Sequence, residues 1–465
     1  MTILANGSSS GILNQRTVVM TFPKLVLDAS QATTDMVMID SNGIGVSIGA
    51  ENSTRMITIA GDEFEVKTKD NLYAIYDFHG GGWTRKFCIA SPLTGTGNMM
   101  FRTRYEDGST TYKEVYLTGD NSGFTGNLCM CGYTTGSNSN SPYLWFVASD
   151  ANQLGGNPET LRQRGFEIRR VANVRFTQSM VIDQPNRGLY ISQTNGGDNS
   201  SYLSRFEVLD GCNVVYTGPW SFSGNTCILQ KYGKGLLNFT GGIYPGGANG
   251  WFKIYEGTLK LNAQDIATNA NLTAKIQFYG SNTTLQLGSN GVARVNPTYF
   301  EYYNNAGNLA IVDAATLEVT STYKPNAVTN ITIASQATLS MAGTAAVALN
   351  NVTLEDGATL AYHLSSTNTT SVPALSINSG KALSLPETGS VKVRITANEG
   401  LYFNSVGNSE AGYELTKGCS LPDGAVTSGK IQFAEGKPSW ARCLAIEGGN
   451  LKLYPYRPGL KLSVR

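Results

Sequence analysis

Ala315-Thr316-Leu317, Ala337-Thr338-Leu339, Ala358-Thr359-Leu360 and Lys381-Ala382-Leu383 are four versions of one short phrase. Their leucines stand 22, 21 and 23 residues apart (339−317, 360−339, 383−360). A period of about 20–25 residues marks one unit of a stacked array. Such a unit buries its apolar face only when a neighbour stacks on it. Gly257-Thr258-Leu259 and Thr283-Thr284-Leu285 read as earlier, looser copies, 26 residues apart (285−259).

Around these phrases, apolar side chains recur at every second position in short runs. Ile331 and Ile333, Val352 and Leu354, Leu360 with Tyr362 and Leu364, and Val391 with Val393 and Ile395 are the clearest. Period two places one set of side chains on each face of a strand. Asn-Gly and Asp-Gly pairs such as Asn290-Gly291 and Asp356-Gly357 separate the runs and supply turns at low steric cost. Turn chemistry alone is compatible with hairpins; the 21–23-residue spacing favours stacked coils. Coils about 4.8 Å apart along the whole chain would make a rod on the order of 100 Å. Asn, Ser and Thr at the turns are expected to stack in polar ladders.

Composition narrows the classes. The 465 residues carry 35 Lys and Arg against 34 Asp and Glu, a net charge of +1. That balance gives no electrostatic footprint for nucleic acid or an anionic membrane. A 41% hydrophobic content excludes a disordered chain. The longest uncharged stretch, Pro325 to Leu354, is broken by Asn326, Asn330, Gln336, Asn350 and Asn351, and reads as consecutive strands rather than a membrane helix. Seven Cys leave at least one thiol unpaired within the chain. Cys129 and Cys131, two apart, share a strand face and read as small buried packing residues. Helical signals are few. Asn157 to Gly165 carries a cap, a Pro at the first position and a closing Gly. Asn262 to Ala270 is a weaker second. The division expected is 1–116, irregular β-rich coils and cap; 117–300, coils with inserted loops; and 301–465, regular coils of about 22 residues.

Leu117-Thr118-Gly119-Asp120-Asn121-Ser122-Gly123-Phe124-Thr125-Gly126-Asn127-Leu128 resembles the autotransporter-associated β-strand repeat. Gly233 to Gly242 is similar to the opening of that repeat, and Ile254-Tyr255-Glu256-Gly257-Thr258-Leu259-Lys260-Leu261 to its closing strand. In this motif Phe124 would plug a coil corner, with Gly on either side to let the chain turn tightly. The resemblance implies a right-handed parallel β-helix in a secreted or surface-displayed passenger of a Gram-negative-type bacterium. Its partners would be host or bacterial surface glycans or proteins. Met1 to Met20 has no basic and apolar leader pattern, and no barrel-type alternation is read near Arg465. Leader and anchor are therefore expected outside this chain.

Sites of chemistry are sparse. A carbohydrate-cleaving β-helix needs converging carboxylates; Asp183 and Asp210, with Arg187 and Arg205 nearby, are the best set, and read as scattered surface charge. His79 beside Gly80-Gly81-Gly82 reads as a loop residue, and His363, alternating with Tyr362 and Leu364, as solvent-facing. Gly241 to Gly250 lacks the Lys-Ser/Thr ending of a phosphate loop. No cofactor, catalytic residue or metal ligand is assigned. The binding residues expected are Tyr299, Phe300, Tyr302 and Tyr303, an aromatic cluster where the regular spacing breaks.

The reading is an all-β chain, a right-handed parallel β-helix (solenoid) with a less regular β-rich N-terminal part, non-enzymatic, without a membrane-spanning segment, serving as stalk or adhesin. A polysaccharide-degrading β-helix enzyme (lyase or glycosidase) and a phage tailspike-like trimer are the alternatives.

Overall fold

Alternation with few helix formers leaves the backbone groups of each run to be satisfied between strands. The computed structural model shows that outcome: nearly every element is a strand, and the strands pair in parallel sheets. It describes residues 2–5, 18–29, 36–39, 55–68, 72–78, 85–103, 113–132, 144–192, 203–224, 227–244, 250–263, 265, 275–280, 282–289, 291–294, 300–302, 307–321 and 328–457. The chain divides into two compact units, Met1–Leu259 and Lys260–Arg465.

In the N-terminal unit the chain visits its sheets in rotation. Lys113–Leu117, Leu144–Ala148, Ala172–Phe176, Leu203–Val208, Ile228–Tyr232 and Trp251–Ile254 follow one another in the first ladder. Asn98–Thr103, Leu128–Gly132, Arg162–Arg169, Arg187–Ser192 and Trp220–Phe222 follow one another in the second. A third begins at Met180–Ile182 and continues through Asn213–Tyr216 and Leu236–Phe239. The register aligns side chains in columns. Phe87, Val115, Phe146, Val174, Phe206, Lys231 and Ile254 share one column of the first ladder, all of them buried. Met99, Leu128, Phe166, Leu189 and Trp220 share one in the second. Equivalent residues here lie 31, 28 and 32 apart (Val115, Phe146, Val174, Phe206), longer than the 22 of the C-terminal repeats. Phe124 is fully buried, in bridge contact with Gly95, as a corner plug.

The C-terminal unit is more regular. Leu285, Leu309, Ile331, Val352 and Leu383 form one buried column. Ala293, Leu317, Leu339, Leu360 and Val393 form another. Up to residue 360 the two columns advance in step: each is spaced 24, 22 and 21 residues. A side-chain ladder runs along the outer face, with Asn330 donating to Asn308 (2.8 Å) and Asn351 to Asn330 (3.0 Å). Antiparallel pairing enters at Tyr413–Glu414, Ala441–Glu447 and Asn450–Pro455. Beside them a helix, Val406–Ala411, is capped by the Ser405 hydroxyl and closed by Gly412 at φ 69°.

Two readings need correction. Leu383 is not the next copy after Leu360: it pairs with Val352's strand, and Leu360 is followed by Val393. Longer connections at 365–374 and 378–382 moved the look-alike phrase into the neighbouring column. The helix expected from Asn157 to Gly165 is absent; Arg162–Arg169 is a strand. The carbonyls of Pro158 and Glu159 accept from the Asn186 side chain (3.0 and 3.3 Å), and the Asn157 side chain accepts from the Asn186 amide (2.9 Å). Local helix signals lose to bonds from the connection that precedes the next paired strand. Asn262 to Ala270 lies mostly outside the described residues.

Candidate binding face

Because strand side chains alternate, the interior columns of the first ladder imply an outward set between them. That set is not scattered. Lys86 pairs with Glu114 (3.1 Å), which also accepts from the Tyr116 hydroxyl (2.7 Å) and lies 3.8 Å from Arg175. Arg175 covers the Trp145 ring (4.5 Å) and donates through Nε to Glu207 (2.6 Å). On the following strands Arg205 lies over Tyr232 (4.9 Å), and Tyr232 stacks on Tyr255 (4.5 Å, 12°). Gln230 accepts from Arg205 (3.1 Å) and donates to the Tyr255 hydroxyl (3.2 Å). These residues come from strands Arg85–Ile89 through Ile228–Tyr232 and from the turn after Trp251–Ile254. Six strand spacings make the face about 29 Å long.

Its charges are largely internal pairs, so it carries little net field. Burial and then the bond to Glu114 push the Tyr116 hydroxyl up. It stays protonated near neutrality, a donor with an aromatic edge. The face can present hydroxyls and aromatic rims at fixed intervals.

A second polar cluster lies on the second ladder. Glu167, wholly buried, takes both bonds of the Arg169 fork (2.7 and 3.0 Å) and one from the Tyr73 hydroxyl (3.1 Å). Beside it Cys129 and Cys131 pack with Tyr73, Ile75 and Met100. Burial is the main cause that pushes both thiols up, which keeps them in the unreactive protonated form. Among the described residues, no group of three His, Cys, Asp or Glu side chains is placed to hold a metal ion.

The residues singled out from sequence are dispersed. Asp183 is exposed beside Thr217, and Asp210 is exposed. Arg205 belongs to the outer face, and Arg187 to the interior. Arg187 is fully buried and donates five bonds, to the carbonyls of Phe124, Gly126, Gly156 (twice) and Gly165, at 2.7–2.9 Å. His363 is exposed and bonds Thr396 and Asn398. His79, Tyr299 and Tyr303 lie outside the described residues. Phe300 and Tyr302 belong to strand Phe300–Tyr302, in register with Ile276 and Phe278. Trp145, Arg175, Glu114 and Glu207 gave no sequence signal, because their 28–32-residue recurrence is masked by connections of unequal length.

No protein-family model matches the chain, and no curated protein matches it either. No described helix is long and apolar enough to cross a membrane.

Proposed function

We propose that the chain is a non-enzymatic, right-handed parallel β-helix passenger of a bacterial surface or secreted protein, acting as stalk and adhesive surface. From Arg162 to Phe239 the chain passes the second, first and third ladders three times in that order, as a coil would, and this carries the reading. In a coil each turn adds one strand per face, so outward residues far apart in sequence form one surface. The face from Lys86 to Tyr255 supports adhesion, because it offers many modest polar and aromatic contacts rather than one pocket. The autotransporter-repeat likeness of Leu117 to Leu128 and of Ile254 to Leu261 supports the passenger assignment.

The test is a panel of immobilised neutral and acidic glycans, matrix proteins and bacterial cells. Saturable binding without release of new sugar ends is expected. Release of reducing or unsaturated ends would instead establish the carbohydrate-cleaving alternative. A stable trimer in sedimentation would establish the tailspike-like one.

A further inference from the structure

The strands that bury Leu309, Ile331, Val352 and Leu383 carry an outward set between those residues. It forms two rows in register. Asn308, Asn330 and Asn351 make one; Ala310, Thr332, Thr353 and Ser384 make the other. Each of these residues is exposed or half-buried, and none is charged. Adjacent strands stand about 4.8 Å apart and the two rows about 6.6 Å apart, so amides and hydroxyls form a small flat lattice. Asn330-Ile331-Thr332 and Asn351-Val352-Thr353 are the same three-residue pattern on neighbouring strands. In each, the polar pair faces out and the apolar residue is buried.

The Asn row is tied internally. Asn330 donates to Asn308 (2.8 Å), Asn351 donates to Asn330 (3.0 Å), and the Ala382 amide donates to the Asn351 side chain (3.1 Å). A primary amide offers two N–H groups and two carbonyl lone pairs. On Asn330 and Asn351 the ladder uses one of each and leaves one of each. Because the ladder already holds these side chains, a ligand that bonds them immobilises few further rotamers.

We infer that this strip is a binding site for a neutral polysaccharide, laid along the ladder so that successive sugar hydroxyls meet the Asn amides and the Thr hydroxyls. A hydroxyl both donates and accepts, which is what each amide has left to offer. The charge pattern argues against other occupants. A polyanion is held by Lys and Arg, and the rows carry neither. The turns after these strands carry Asp313, Glu355 and Asp356, all exposed, with Asp313 paired to Lys260. Lys381, in the turn before Leu383–Ser384, is the cation closest in sequence. Protein interfaces centre on large aromatic and Arg side chains, and membrane surfaces take large apolar ones; the rows carry none of these. The inference rests on the adhesive reading, and adds to it a ligand class and a site in the C-terminal unit.

Biolayer interferometry of the full chain tests it, with laminarin, mannan and hydroxyethyl cellulose as neutral probes and alginate and heparin as acidic ones. Binding to at least one neutral probe is expected, and it should hold between ~0.05 and ~0.5 M salt, since screening acts on charges. Thr332→Ala with Thr353→Ala removes two hydroxyls and should weaken that binding about tenfold. Thr332→Ser with Thr353→Ser keeps both hydroxyls and should stay within about twofold of wild type. Equal urea midpoints for the two double variants would show that the fold is intact. Neutral binding that the Ala pair leaves unchanged, or that only Tyr232→Ala on the first ladder removes, would overturn the strip. So would binding to alginate or heparin alone, which leaves the adhesive reading standing. Silence across these probes, matrix proteins and bacterial cells would strike both.

Discussion

Arg187 shows how one side chain can hold several distant backbone stretches together. Its guanidinium has five N–H donors and no acceptor, and all five find backbone carbonyls from three separate stretches, Phe124 to Gly126, Gly156 and Gly165. Two neighbouring glycines leave room for this side chain. A Cβ on Gly165 would sit 2.6 Å from the Arg187 Cγ, and one on Gly155 2.9 Å from its Nη2. Arg187→Met would strip five side-chain bonds from those buried carbonyls, leaving Phe124 O the Gly156 amide (2.8 Å), so a loss of about 3–5 kcal/mol is expected, read as a drop in the urea midpoint. Gly126 makes a related point for the turn motif. Its Cβ would meet the Gly97 carbonyl oxygen at 1.8 Å, so Gly126→Ala should cost about 1–3 kcal/mol through backbone displacement. Gly224→Ala, with nothing within 4 Å of the added atom, should lie within about 0.5 kcal/mol of wild type. Equal effects at the two glycines in thermal melts would show that close packing at the corner is not what Gly126 serves.

At the scale of strands, the column matters more than the strand. Leu339 is buried between Leu317 and Leu360 in register. Truncation to Ala removes contacts on both sides and is expected to cost about 2–5 kcal/mol. Ser340, on the opposite face of the same strand and half-buried, should tolerate Ala with a change within about 0.5 kcal/mol. A comparison of the two by urea unfolding checks that the alternation read from sequence is the alternation that stabilises the fold. The alternation was legible at Ile331, Val352 and Leu360, because the core-facing residues are apolar and the others are not. The pairing order was not legible past residue 360. A three-residue phrase at Leu383 satisfied the period while belonging to the next column, since period is a property of distance along the chain and column is a property of pairing. The helix signals at Asn157 and Pro158 failed for the same kind of reason: Asn186, on a later connection, donates to the carbonyls of Pro158 and Glu159 and to the Asn157 side chain.

Among the described residues, the parallel ladders join residues 21 or more positions apart, as between Leu339 and Leu360 or Val174 and Phe206. Parallel strands need such crossovers, and loop closure must precede the contacts that reward it. Refolding from urea is therefore expected to take seconds or longer, measured by stopped-flow fluorescence of Trp145 and Trp220, both buried. Completion within milliseconds would be inconsistent with these pairings dominating the barrier.

The strand content, the parallel bias and the regular strand columns between residues 315 and 362 were fixed by local pattern, because apolar alternation and a constant period act over a few residues and repeat. The outer face from Lys86 to Tyr255, the Arg187 pin and the placement of Lys231 inside an apolar column were decided by tertiary structure. Each depends on which residues of successive strands come into register. Register is set by the lengths of the intervening connections and by the packing of whole columns, neither of which leaves a mark on any single stretch of sequence.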